Sequence, residues 1–130
     1  MNLLRKTILP VFLTTLWISI NEFIRNEFLL NSFWVDHFIS LKLSFPSAPI
    51  NGAIWGIWSL CFAITIYLIA EKFNLIQTTC LSWFVSFVMM WIALGNLGVL
   101  PFGILIYAIP LSLFESFVAS WIILRLSKKV

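Results

Sequence analysis

The sequence predicts an all-α integral membrane protein: a four-transmembrane-helix bundle with an extracytoplasmic interfacial segment between helices 1 and 2. Three observations predict it. Apolar residues make up 62% of the 130 residues and charged residues 10%, against roughly 45–50% and about 25% in soluble domains. Mean hydropathy is +1.04, and a soluble fold of this size has too little interior to hide such a surplus. Four windows stay apolar over the roughly 20 residues that a membrane-spanning helix needs. Composition therefore excludes a soluble enzyme, a nucleic-acid-binding domain and intrinsic disorder.

The windows cover about residues 7–24, 50–70, 79–100 and 103–124 of a single membrane domain, residues 1–130. The first is the weakest, because Asn21, Glu22 and Arg25 crowd its end. Arg5 and Lys6 ahead of Ile8–Leu16 resemble the start of a signal peptide, but no small-x-small cleavage site follows. The segment is expected to stay as the first span. Residues 27–49 mix Phe28, Phe33, Trp34 and Phe38 with Asn31, Asp36, His37 and Lys42, which suits a helix lying at an interface. Phe45-Pro46-Ser47-Ala48-Pro49 then breaks it. Residues 98–103 are too few for anything but an antiparallel hairpin of spans three and four.

An even number of spans puts both termini on one side. That side carries six basic residues, Arg5, Lys6, Lys72, Arg125, Lys128 and Lys129, and the other side two, Arg25 and Lys42. Basic excess marks the cytoplasmic face, so both termini are expected in the cytoplasm, in a bacterial inner (plasma) membrane. Trp34, Trp55, Trp83 and Trp121 fall near span ends, as in an aromatic belt. Trp17, Trp58 and Trp91 sit deeper and are expected to pack.

A charge at the bilayer centre costs about 2.5–3.5 kcal/mol on insertion scales. Glu115 is 12 residues past Gly103 and 10 before Arg125, which sets it near the midplane. Two readings stand. It is a proton or cation site facing a cavity, or it is a neutral carboxyl bonded to a neighbouring helix. Ser112, Ser116 and Ser120 recur every four residues beside it, a small-residue ridge that lets another helix come close. That ridge is a candidate face for a second copy or a membrane protein partner. On the first span Thr15, Ser19, Glu22 and Asn26 form one stripe, and Glu22 and Arg25 are spaced to pair. Glu22, Arg25, Asn26, Asn51 and Asn96 all fall at the outer ends of their spans. They are expected to converge into one polar cluster, either a clasp between helices or the mouth of a pocket floored by Glu115.

Other chemistry is thin. Asp36 and His37 lack further ligands for a metal, a single His cannot supply paired haem ligands, and Cys61 and Cys80 fit no zinc or redox spacing. No catalytic residue, metal or cofactor is expected, and the one expected surrounding partner is the lipid bilayer. Size and four-span plan are similar to the small multidrug resistance exporters, a family with an essential Glu in its first span and an antiparallel dimer. Here the central Glu115 lies in the fourth span, Glu22 lies near the outer boundary, and the charge bias disfavours insertion both ways up. The likeness covers architecture and no motif. Three functions remain: a non-catalytic membrane component or accessory subunit, a small proton-coupled transporter using Glu115, and a lipid- or quinone-modifying enzyme. A single cluster holding both Asn51 and Asn96 requires coupled loss of stability when both are replaced, read by a double-mutant cycle.

Overall fold

The computed structural model describes residues 2–127. These residues form five helices and no strand. Four are long and apolar enough to cross a membrane: α1 (Leu4–Leu29), α3 (Pro49–Ala70), α4 (Leu75–Asn96) and α5 (Leu105–Leu126), the last preceded by a 3-10 turn at Phe102–Ile104. The short α2 (Asn31–Ser40) follows α1. Lys128 and Lys129, two of the six basic residues counted for orientation, lie outside the described residues.

The helix ends differ from the sequence expectation where local chemistry decides them. α1 runs to Leu29 rather than Ile24, because Glu22, Arg25 and Asn26 turn into the protein and do not end the helix. α4 starts at Leu75 rather than Thr79. Asn74 accepts a bond from the Gln77 N–H while the Gln77 side chain accepts from the Asn74 N–H, a reciprocal cap of an exposed start. It ends at Asn96 rather than Leu100, where Gly98 takes φ +76 and Val99 N–H returns to Leu94 O. Pro49 opens α3 at a first-turn position that needs no N–H donor.

Two of the long helices contain a π turn in a working position. In Arg25–Leu29 the Leu30 N–H donates to Arg25 O at 2.8 Å, and in Phe84–Val88 the Met89 N–H donates to Phe84 O. Each turn holds one residue more than an α turn. The buried positions follow suit. They step by four through Thr14, Ile18 and Glu22, then from Arg25 to Leu30 by five; on α4 they go from Ser82 to Phe87 by five.

α5 packs against α1, α3 and α4, and α3 packs against α1 and α4. Ser112, Ser116, Ala119 and Ser120 are fully buried on the α5 face that makes these contacts. Small side chains there let the backbones approach. The ridge expected as a partner face is thus used inside the chain and is not presented at its surface. The core is Ile18 from α1, Phe62, Ala63 and Ile66 from α3, Phe87 from α4, and Ala119 and Ile123 from α5. A second cluster, Leu30, Leu100, Ile104 and Ala108, sits at the end holding the α4–α5 turn. Outward faces carry large apolar side chains such as Ile57, Leu68, Ile92 and Ile106.

Ala119→Leu overfills the close contact and is expected to lower stability by about 1–3 kcal/mol. Ile106→Leu, on the outward face, is expected to change it by less than about 0.5 kcal/mol. Unfolding in mixed detergent micelles distinguishes the two.

Candidate functional site: an ion cluster beneath an aromatic cavity

Arg25 is the centre of the site. Its guanidinium donates from Nη2 to Glu22 Oε1 and from Nη1 to Glu115 Oε1 at 3.1 Å. All three residues are buried, Glu115 completely. The fork geometry explains the choice of residue: two nitrogens of one planar group reach carboxylates on two helices, which a lysine ammonium cannot reproduce. The same guanidinium lies over the Phe87 ring, 5.1 Å from its centroid. The five-residue step in α4 is what brings Phe87 inward to this position.

Around the ions the polar groups are ordered. Asn26 Nδ2 donates to Glu22 Oε2 at 3.0 Å, and Asn26 Oδ1 accepts from Trp34 Nε1 at 3.1 Å. Trp17 Nε1 donates to the Glu115 carbonyl at 3.0 Å, and Trp83 Nε1 donates to Ser112 Oγ at 2.9 Å. Glu115 Oε2 and the hydroxyls of Thr14, Ser116, Ser120 and Ser127 are buried with no partner among the described residues. Other hydroxyls on these helices, those of Thr15, Ser59, Thr79 and Ser82, bond the carbonyl four residues back.

Over the cluster lies a cavity of about 620 Å³. Glu22, Arg25 and Asn26 line it from α1, Asn51 and Trp55 from α3, and Phe87 and Trp91 from α4. The segment between α1 and α3 closes part of it. Trp34 stacks on Phe45 with centroids 6.0 Å apart, and Phe38 meets Phe45 edge-on at 5.2 Å. His37 Nε2 lies 2.9 Å from Gly98 O and ties α2 to the turn after α4. The segment expected simply to lie at an interface therefore also roofs an internal space. Trp34 and Trp55, read as belt residues, face it.

The structure brings Glu115 into direct contact with the outer polar constellation. Glu115 belongs to the same cluster as Glu22 and Arg25, and Asn26 and Asn51 border it. Asn96 does not: it is exposed at the end of α4 and does not line the cavity. Ser112 and Ser116 sit below, within the packed interior. No group of three metal-ligating side chains converges among the described residues, and Cys61 and Cys80 are free and exposed. The aromatic roof and the Trp34–Asn26 bond had no periodic signal in the sequence.

No family model, curated protein or solved structure matches this chain. Fold and site alone define the class: an all-helical protein with four helices apolar enough to cross a membrane and a charged cluster buried between them.

Removing one member of a buried ion pair leaves an uncompensated charge. Arg25→Met is expected to cost about 3–5 kcal/mol, and adding Glu22→Gln and Glu115→Gln to it is expected to restore much of that loss. Arg25→Lys should not rescue. Asn51→Ala and Asn96→Ala, on separate surroundings, are now expected to add within about 0.3–0.5 kcal/mol in a double-mutant cycle.

Proposed function

We propose that the chain is a non-catalytic integral membrane protein that binds a small amphipathic molecule in the cavity between its helices. In this reading it lies in a bacterial plasma membrane with both termini cytoplasmic. The cavity then opens within the outer half of the bilayer. The outward apolar side chains support lipid as the surrounding solvent, since in water so large an apolar surface would drive association.

The observation that carries the binding reading is the cavity itself. Its volume is that of a small-molecule site, and it combines mostly apolar walls with a few converging polar groups. Binding is favoured over catalysis because the polar groups are engaged with one another: Arg25 with two carboxylates, and Asn26 with Glu22 and Trp34.

Gly56 supplies the test. It lines the cavity, and a Cβ built there meets nothing within 4 Å. Gly56→Leu is expected to project into the space and narrow it without disturbing the backbone, and to leave stability unchanged or raised by about 0.5–1 kcal/mol through helix propensity. Native mass spectrometry of protein gently extracted from its own membranes should show a retained amphiphile. The same measurement on Gly56→Leu should show it lost. Equal retention in both proteins removes the cavity as the binding site.

Orientation has its own test. A cysteine replacing Ser47, with Cys61 and Cys80 changed to Ala, is expected to react with an impermeant maleimide in intact cells. A cysteine replacing Asn74 is expected to react only after permeabilisation. The reverse pattern inverts the topology.

A second reading, proton-coupled transport through Glu115, is favoured by one observation. The unpartnered Glu115 Oε2 and the unpartnered hydroxyls of Ser116, Ser120 and Ser127 follow one another along the buried side of α5 to its C-cap. That role predicts carbodiimide labelling of Glu115 in native membranes that falls as pH rises. Labelling of Glu27 alone, at every pH, ends this reading.

A further inference from the structure

The polar groups around the cavity fall into two sets. The charged set is already engaged. Glu22 gives Oε1 to Arg25 and Oε2 to Asn26. Both terminal nitrogens of Arg25 hold carboxylates. Glu27, the remaining charged residue of the lining, is exposed. The neutral set is free. Ser19, Asn51, Trp55 and Trp91 line the same space of about 620 Å³. Neither the side chains of the first two nor the indole N–H groups of the other two make a hydrogen bond among the described residues.

That division decides what the cavity can hold. An incoming anion must displace a carboxylate from Arg25 and leave it buried and unpaired. An incoming cation finds no buried carboxylate with an open oxygen in the lining. The rings attract it, but stripping a charge of water between apolar helices costs more than they return. An uncharged polar group costs least to bring in, provided that it is hydrogen-bonded once inside. The free groups favour acceptors on it. All four residues can donate, and only Ser19 and Asn51 can accept, since an indole nitrogen is a donor alone. A carbonyl oxygen, with two lone pairs and no proton of its own, matches that inventory. Phe23 and Trp55 belong to the lining and are exposed, so the space reaches the surface beside them and a long apolar tail can leave there.

We propose that the amphipathic ligand of this cavity is an uncharged carbonyl compound with a long apolar tail, its oxygens served by Ser19, Asn51 and the two indoles. This rests on the cavity being a binding site, as proposed above. A membrane offers that chemistry from two sources, the ring of a quinone and the ester of a glyceride.

The test is saturable binding of tritiated decylubiquinone to the full-length protein, read by scintillation proximity with empty nanodiscs subtracted. The nanodiscs are of zwitterionic ether lipid, which carries no carbonyl. The quinone ring is fully substituted and does not add to the free thiols of Cys61 and Cys80. Unlabelled competitors of similar chain length are monodecanoin, decylbenzene, decyltrimethylammonium and decyl sulfate. The quinone is expected to saturate at one per chain. Decylbenzene, which has no acceptor, and the two charged probes are expected to compete at least about tenfold more weakly than unlabelled quinone. Competition by monodecanoin as strong as that of the quinone, or stronger, assigns the ester source; weaker competition assigns the ring. Asn51→Leu, Trp55→Phe and Trp91→Phe each remove hydrogen-bonding groups and keep bulk, and each is expected to weaken binding by about 2- to 10-fold. Asn96→Leu, outside the cavity, is expected to leave it unchanged. Decylbenzene or either charged probe competing as well as the quinone overturns the ligand class but leaves the cavity as a binding site. Quinone binding indifferent to all three cavity variants also overturns it. Saturation by neither tritiated decylubiquinone nor tritiated monodecanoin overturns the ligand class; the cavity reading falls with it if Gly56→Leu also retains the same native amphiphile.

Discussion

A guanidinium buried among apolar helices has few partners for its five N–H donors. Arg25 turns its two terminal nitrogens to carboxylates on two different helices and lies over an aromatic ring on a third. The arrangement constrains everything around it. α1 and α5 are held at one relative height, since sliding either helix pulls a carboxylate off the fork. α4 must present Phe87 at the same level. The Trp17 bond to the Glu115 carbonyl and the Asn26 bond to Glu22 then fix the orientation of the partners. Such a cluster adds little net stability, because desolvation offsets most of the attraction, but misalignment is heavily penalised. Its structural role is therefore specificity of register.

Close packing and open space are divided along the length of the protein. Below the cluster, Ser116, Ala119 and Ser120 let α5 approach its neighbours, and the core of Ile18, Phe62, Ile66 and Ile123 is filled. Above it, Gly52 and Gly56 withdraw side-chain volume from α3, and the walls are large rings held by contacts with each other. The cavity follows from that change of residue size. The roof is a separate element: α2 and Phe45 are attached through Trp34 to Asn26 and through His37 to Gly98 O, so the groups that close the cavity also touch the ion cluster through a single asparagine.

Much of the architecture was legible because hydrophobic length is a strong signal, and all four apolar windows correspond to long helices. The start of α4 was missed although Asn74 and Gln77 carry a readable capping pattern. A Glu115 floor beneath the outer cluster was one of two readings, but the direct Arg25–Glu115 bond was not read, for a geometric reason. Counting residues along each helix puts their backbones at different depths. Side chains lean toward the N-terminus of their own helix, and α1 and α5 run in opposite directions, so Arg25 and Glu115 lean toward each other and close the gap. Asn96 was misplaced because a span expected to reach Leu100 would have carried it inside, whereas Gly98 ends the helix at its edge. The cavity was not legible at all. It depends on a loop folding back, and nothing in the spacing of Trp34, Phe38 and Phe45 says which way they face.

The wide turns at Arg25–Leu29 and Phe84–Val88 also govern how this chain can vary. A relative that tightens either turn into ordinary α-helix loses one residue there and keeps every inward position. Its alignment to this chain then carries a single-residue gap inside a long apolar helix, where insertions and deletions are least expected, and not in a loop. Aligned without that gap, every position beyond the turn is rotated by about 100°. Residues up to Arg25 would match correctly while Leu30 would be paired with an outward-facing neighbour. The faithful comparison is one that tolerates that irregularity in the last turn of α1 and in the middle of α4.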